Sequence, residues 1–164
     1  MNQVEEKTRN RLEKDLNKFI AKTRLRAPLK KGQITFSDFL SDKMLIIGAI
    51  REGIPYSIFA SLQYLSPLST TVWAKILYLS PKSLSRYRQL QKSFKPAQSE
   101  RIIELAEVLY HGARIFGDDA KFKVWLNTPS YPLGNSKPID LLEDSYGKDL
   151  VMGELTNIEY GILA

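Results

Sequence analysis

Apolar residues recur at three- and four-residue spacing through much of the chain, with polar residues between them. Val4, Leu12, Leu16, Phe19 and Ile20 predict an amphipathic helix over residues 3–22. Alone it is too short and polar to be stable. It must pack on the body of the protein, pair with a second subunit or stay disordered. Residues 23–35 read as a basic linker broken by Pro28 and Gly32. Ser37 suits the N-cap of a helix running to about Arg51, with Phe39, Leu40, Leu45, Ile46 and Ile47 on one face and Gly53 as its stop. Pro55 opens a helix to about residue 64 that carries Ile58, Phe59 and Leu62 and ends at Pro67.

Ser69 caps a helix over about 70–78, with Val72, Trp73, Ile76 and Leu77 apolar, and Ser80-Pro81 starts another over 81–91. Ile102, Ile103, Leu105, Ala106, Leu109 and Ala113 predict a long helix at 99–116, and Asp118 caps the next, at about 119–127. Beyond Trp125-Leu126-Asn127-Thr128-Pro129 the chain is densely punctuated. Leu133-Gly134-Asn135 reads as a turn, Pro138-Ile139-Asp140-Leu141-Leu142 as a short helix broken by Gly147, and Val151, Leu155 and Ile158 as a last helix. Segment alternation typical of strands is missing, and the fold expected is all-α.

Charge divides the chain more sharply than its net value of +6 implies. Residues 1–31 carry ten Lys/Arg against four Asp/Glu, residues 32–97 eight against three, and residues 98–164 six against eleven. No acidic residue lies between Glu52 and Glu100. A segment without carboxylates keeps a positive potential, which suits a polyanion. There is no cysteine, hence no disulfide framework or thiolate metal site. Residues Met1 to Leu25 are charged throughout, and no apolar run approaches the ~20 residues that span a bilayer. A cytoplasmic, soluble protein with no membrane partner is expected.

Helices at about 70–78 and 81–91, joined at Leu79-Ser80, have the size and spacing of a helix-turn-helix. Leu84 would hold the second helix against Trp73, Ile76 and Leu77. Lys82, Ser83, Ser85, Arg86 and Gln89 would lie on its free side. Arg86 suits a guanine edge and Gln89 an adenine edge, while Lys82, Ser83, Arg88, Lys92 and Lys95 suit phosphates.

The ordered series Trp125-Leu126 with Pro129, Leu133-Gly134, Pro138 to Leu142, Gly147 with Val151, and Ile158-Glu159 with Gly161 resembles the C-terminal toxin-binding domain of Xre/MbcA/ParS-type antitoxins. Ser99-Glu100-Arg101-Ile102 and Ile115-Phe116-Gly117-Asp118 extend the likeness upstream. It covers residues 97–164 well, 36–96 more loosely and 1–35 not at all. Ser80 to Tyr87 is similar to the family's recognition helix, with Ser83 in place of a Thr and Tyr87 where a second Arg is expected. Phe122 stands where the family usually has Ala.

Three parts are expected: a basic helix and linker (1–35), read from the residues alone, and, as the resemblance implies, a helix-turn-helix region (36–96) and a helical toxin-binding domain (97–164). It implies an antitoxin that sterically blocks the NAD-binding cleft of a RES-type toxin, represses its own promoter and uses no cofactor. Operator DNA and a cognate toxin are then the partners. A homodimer is expected, because one hairpin touches too few bases, and the helix at 3–22 is one candidate for the dimer contact. Toxin contacts are expected at Leu133, Gly134 and Asn135, as an exposed loop tip, and at Glu159, Tyr160, Gly161, Ile162, Leu163 and Ala164. Trp125 is read as a core residue against Leu141, Leu142 and Leu155 rather than as a contact. The alternatives are a stand-alone transcription regulator and an adaptor whose basic half binds an acidic protein.

Catalytic chemistry is not in evidence. His111 is the single histidine, and no glycine-rich phosphate loop or metal-ligand spacing occurs. The Asp118-Asp119 and Glu143-Asp144 pairs are adjacent on helical segments, so their side chains diverge.

Overall fold

A computed structural model describes residues 3–23 and 33–162. Most of the linker read at 23–35, and the contact candidates Leu163 and Ala164, lie outside the described residues. Among the described residues ten α-helices follow in order: α1 Gln3–Lys22, α2 Phe36–Ser41, α3 Lys43–Glu52, α4 Tyr56–Leu65, α5 Thr70–Ile76, α6 Pro81–Leu90, α7 Pro96–Phe116, α8 Asp119–Leu126, α9 Pro138–Leu141 and α10 Ser145–Glu159. A short 3₁₀ turn, Tyr131–Leu133, separates α8 from α9. Among the described residues there is no strand, only isolated bridges at Pro55–Ser93 and Ser130–Ser136. The fold is all-α.

The amphipathic reading of α1 holds. Leu12, Leu16, Phe19 and Ile20 are buried, and α1 lies against α4 of its own subunit. Asn17 secures the returning chain twice: its Nδ2 donates to the Ile34 carbonyl (2.8 Å) and its Oδ1 accepts from the Ile34 amide (3.0 Å).

The helix expected from Ser37 to Arg51 is two helices. Thr35, not Ser37, is the first cap, in a reciprocal capping box with Asp38. Asp42 is extended and caps α3 by accepting from the Leu45 amide. Downstream, Ser69, Ser80 and Asp118 cap α5, α6 and α8 as expected. α5 stops at Ile76, earlier than expected, and α7 begins at Pro96, three residues before the predicted start.

Gly147 does not break a helix. It sits in the first turn of α10, which Asp144 caps, and a Cβ there would lie 1.9 Å from the Leu141 carbonyl oxygen. The residue permits close approach of α9 to α10 rather than ending either.

α7 is the central strut. It packs on α3 on one side and on α8 and α10 on the other. Ser99, fully buried near its start, accepts from the Ile54 amide (2.9 Å) and donates to the Phe94 carbonyl (3.3 Å). With the Phe94 amide donating to the Ile54 carbonyl (2.9 Å), this pins the segment after α6 to the α3–α4 turn.

Candidate DNA-facing and partner-facing surfaces

α5 and α6 form the expected hairpin. Trp73, Ile76, Leu77 and Leu84 are buried in one cluster, and Phe59 meets Trp73 edge-on with ring centroids 5.2 Å apart. Leu77 ends α5, and Tyr78 turns the chain with φ of 52°, a left-handed conformation that a side chain adopts at a cost. Ser80 then caps α6 by accepting from the Ser83 amide (3.1 Å), and its hydroxyl also bonds that of Ser83 (2.9 Å).

Lys82, Arg86, Arg88, Gln89, Lys92 and Lys95 are exposed, while Ser83 and Ser85 are half-buried. All sit on or just after α6, so the hairpin gathers the candidates into one basic surface. Tyr87 takes no part in it. Its ring stacks on buried Phe94 (4.4 Å, 10° between planes) and so locks α6 to the chain that follows. The charge expected of an Arg there is replaced by packing. Neighbouring Tyr56 is buried, and burial raises its phenol pKa against an opposing pull from Arg88.

The acidic lobe is assembled in part differently from expectation. Trp125 is half-buried and packs against the core as expected, and its ring partners are Phe116 (5.6 Å) and Phe122 (6.0 Å), which the sequence reading did not name. Leu133 is buried at 8% exposure and does not belong to an exposed tip. Of the three loop candidates, Gly134 and Asn135 are exposed, and both are left-handed. Glu159, Tyr160, Gly161 and Ile162 are exposed at the end of α10. The Ile162 amide donates back to the Asn157 carbonyl (2.8 Å), closing the helix. His111 is half-buried, with Nε2 3.5 Å from a Glu159 carboxylate oxygen and no hydrogen bond to it.

The two surfaces are tied by contacts that sequence reading missed. Glu143, just before α10, pairs with Lys75 of α5, and this hydrogen bond and charge raise the Lys75 pKa. Tyr78 Oη donates to the Glu143 carbonyl (2.9 Å) and accepts from Arg101 Nη2 (3.2 Å), whose guanidinium lies over the Tyr78 ring at 5.1 Å. A groove of about 620 Å³ between α1, α2, α4 and α7 contains none of the candidate residues. Among the described residues, no three His, Asp or Glu side chains cluster as metal ligands, and no helix is long and apolar enough to cross a membrane.

Residues 46–107 match the antitoxin Xre-like helix-turn-helix domain, and residues 111–161 match the antitoxin Xre/MbcA/ParS C-terminal toxin-binding domain. The chain belongs to the Xre/MbcA/ParS antitoxin family. It is an antitoxin of a toxin–antitoxin system, and it carries a helix-turn-helix domain. Two proteins named Antitoxin Xre are similar to this antitoxin. One, from Yersinia enterocolitica serotype O:8 / biotype 1B, is 26% identical over 121 residues, which is 73% of this chain and 82% of that protein. The other, from Photorhabdus laumondii subsp. laumondii, is 28% identical over 116 residues, 70% and 78% of the two chains. The fold is also similar to a chain in the crystal structure of the M. tuberculosis MbcT–MbcA toxin–antitoxin complex, with a TM-score of 0.53, 23% identity, and coverage of 65% of this chain and 94% of that one.

Proposed function

We propose that this antitoxin sterically inhibits a RES-type toxin that degrades NAD or transfers ADP-ribose from it, and represses its own promoter through α5–α6. The observation that carries the reading is the division of one chain into two chemically opposite surfaces. α6 presents Lys82, Arg86, Arg88 and Gln89, and Lys92 follows it, in a segment without a carboxylate from residue 53 to residue 99, whereas residues 98–164 hold eleven Asp/Glu against six Lys/Arg. The first attracts a polyanion and the second repels it. Accordingly, residues 36–96 serve DNA and 97–164 serve the toxin, with no cofactor and no catalytic step of the antitoxin's own. Operator binding is dimeric, with half-sites about 34–36 Å apart. The burial of the α1 apolar face on its own α4 supports a dimer contact elsewhere.

The test is co-purification with the protein encoded by the adjacent reading frame, followed by its NAD turnover with and without the antitoxin. A stable complex with turnover suppressed at stoichiometric ratio is expected. No complex, or one with turnover intact, would sink the inhibition claim and leave a stand-alone helix-turn-helix regulator.

A further inference from the structure

One face of α10 has no partner among the described residues. Val151 and Leu155 are fully buried, and Gly147 on the same side is buried against Leu141. On the opposite side, Tyr146, Leu150, Gly153 and Asn157 follow one another at spacings of four, three and four residues, and Tyr160 continues the line. Tyr146 is 87% exposed, Leu150 59% and Tyr160 73%, high values for large apolar side chains on one stripe.

Gly153 lies at the centre. It is helical, and no atom stands within 4 Å of where its Cβ would be. Neither a left-handed turn nor a close neighbour among the described residues requires glycine there, yet glycine destabilises a helix relative to alanine. A requirement from outside the chain supplies the reason, since the missing side chain lets another backbone approach. The border of the stripe is acidic. Asp149 and Glu154 flank it on α10, and the one base of that helix, Lys148, is drawn to Glu107 (4.0 Å) and Asp149 (3.2 Å). That border repels nucleic acid and a second copy of the same face, and it attracts a protein surface carrying Lys or Arg around an apolar strip.

We infer that the Tyr146–Leu150–Gly153–Tyr160 stripe of α10 is the docking face for the toxin, with a toxin segment seated directly on Gly153. This rests on the toxin-binding reading above, and it assigns the contact to the length of α10 rather than to the loop at Gly134-Asn135.

The test is equilibrium binding of the full-length antitoxin to the protein encoded by the adjacent reading frame, paired with thermal melts. Gly153→Ala is expected to raise Tm by about 2–4 °C through helix propensity, while weakening binding by about tenfold because the methyl intrudes on the contact. Tyr146→Ala is expected to weaken binding about tenfold at unchanged Tm, and Tyr64→Ala, on remote α4, to leave it unchanged. A purely structural Gly153 would move Tm without moving affinity. Wild-type affinity in both Gly153→Ala and Tyr146→Ala overturns the stripe and leaves toxin binding intact. Loss of self-association in place of toxin affinity, read by sedimentation, overturns it in favour of a second copy. Failure of the wild-type chain to bind overturns the toxin reading and the stripe together.

Discussion

Gly112 and Phe122 occupy space that only one of them can fill. Phe122 is fully buried, and a Cβ on Gly112 would meet its ring at 2.2 Å. Resemblance to the family implies a small residue at 122. The large ring fits because α7 offers a bare backbone opposite it. Phe122→Ala should cost about 3–5 kcal/mol in urea unfolding, since it empties a site between α7 and α8. Gly112→Ala should destabilise the wild type but not the Phe122→Ala background, where helix propensity favours alanine. A double-mutant cycle should give a coupling of about 0.5–3 kcal/mol, and strict additivity would contradict the shared space. Nothing in the spacing of residues 112 and 122 announces this pair. It is visible only once α8 has folded back on α7.

At the scale of elements, caps were legible wherever the capping side chain stood before a clean apolar run, as at Ser69, Ser80 and Asp118. The α2–α3 break was not, because Phe39, Leu40, Leu45, Ile46 and Ile47 keep apolar spacing across Asp42 and hide the interruption. The structure resolves it by giving Asp42 an extended backbone and a capping role. Gly147 and Leu133 were misread for a related reason: turn chemistry is local, whereas their burial depends on α9 and α10 meeting. The basic face of α6 was legible because the missing carboxylates are a property of composition. Arg86→Ala should weaken specific operator binding by about 1–3 kcal/mol in titrations at fixed salt. Lys92→Ala should instead weaken all DNA similarly and lower the salt slope by about one. Equal loss on specific and random DNA for Arg86→Ala would remove it from base readout.

In the whole molecule, the hairpin and the acidic lobe are held together by Tyr78, Lys75, Arg101 and Glu143. Removing the Tyr78 hydroxyl takes away one donor and one acceptor from this tie. Tyr78→Phe should cost about 0.5–1.5 kcal/mol and speed hydrogen exchange in α5 and α6, with α1 unaffected. Exchange unchanged in α5 and α6 would mean that the hairpin is positioned by its core contacts alone. The Lys75–Glu143 pair should persist through neutral pH. Because the folded lysine pKa is raised, the lysine's part in the pair is complete below the ordinary lysine value of about 10.4 and is lost as pH rises through the raised one.

The matched helix-turn-helix segment ends at residue 107 and the toxin-binding segment begins at residue 111, both inside α7. No hinge separates the two, and the 21-residue helix spans about 31 Å in one piece. Val108 and Leu109, at the junction, are buried. Cleavage there would cut the helix that both segments share and open buried core on either side of it. The helix-turn-helix segment and the toxin-binding segment are in this sense built on a single strut.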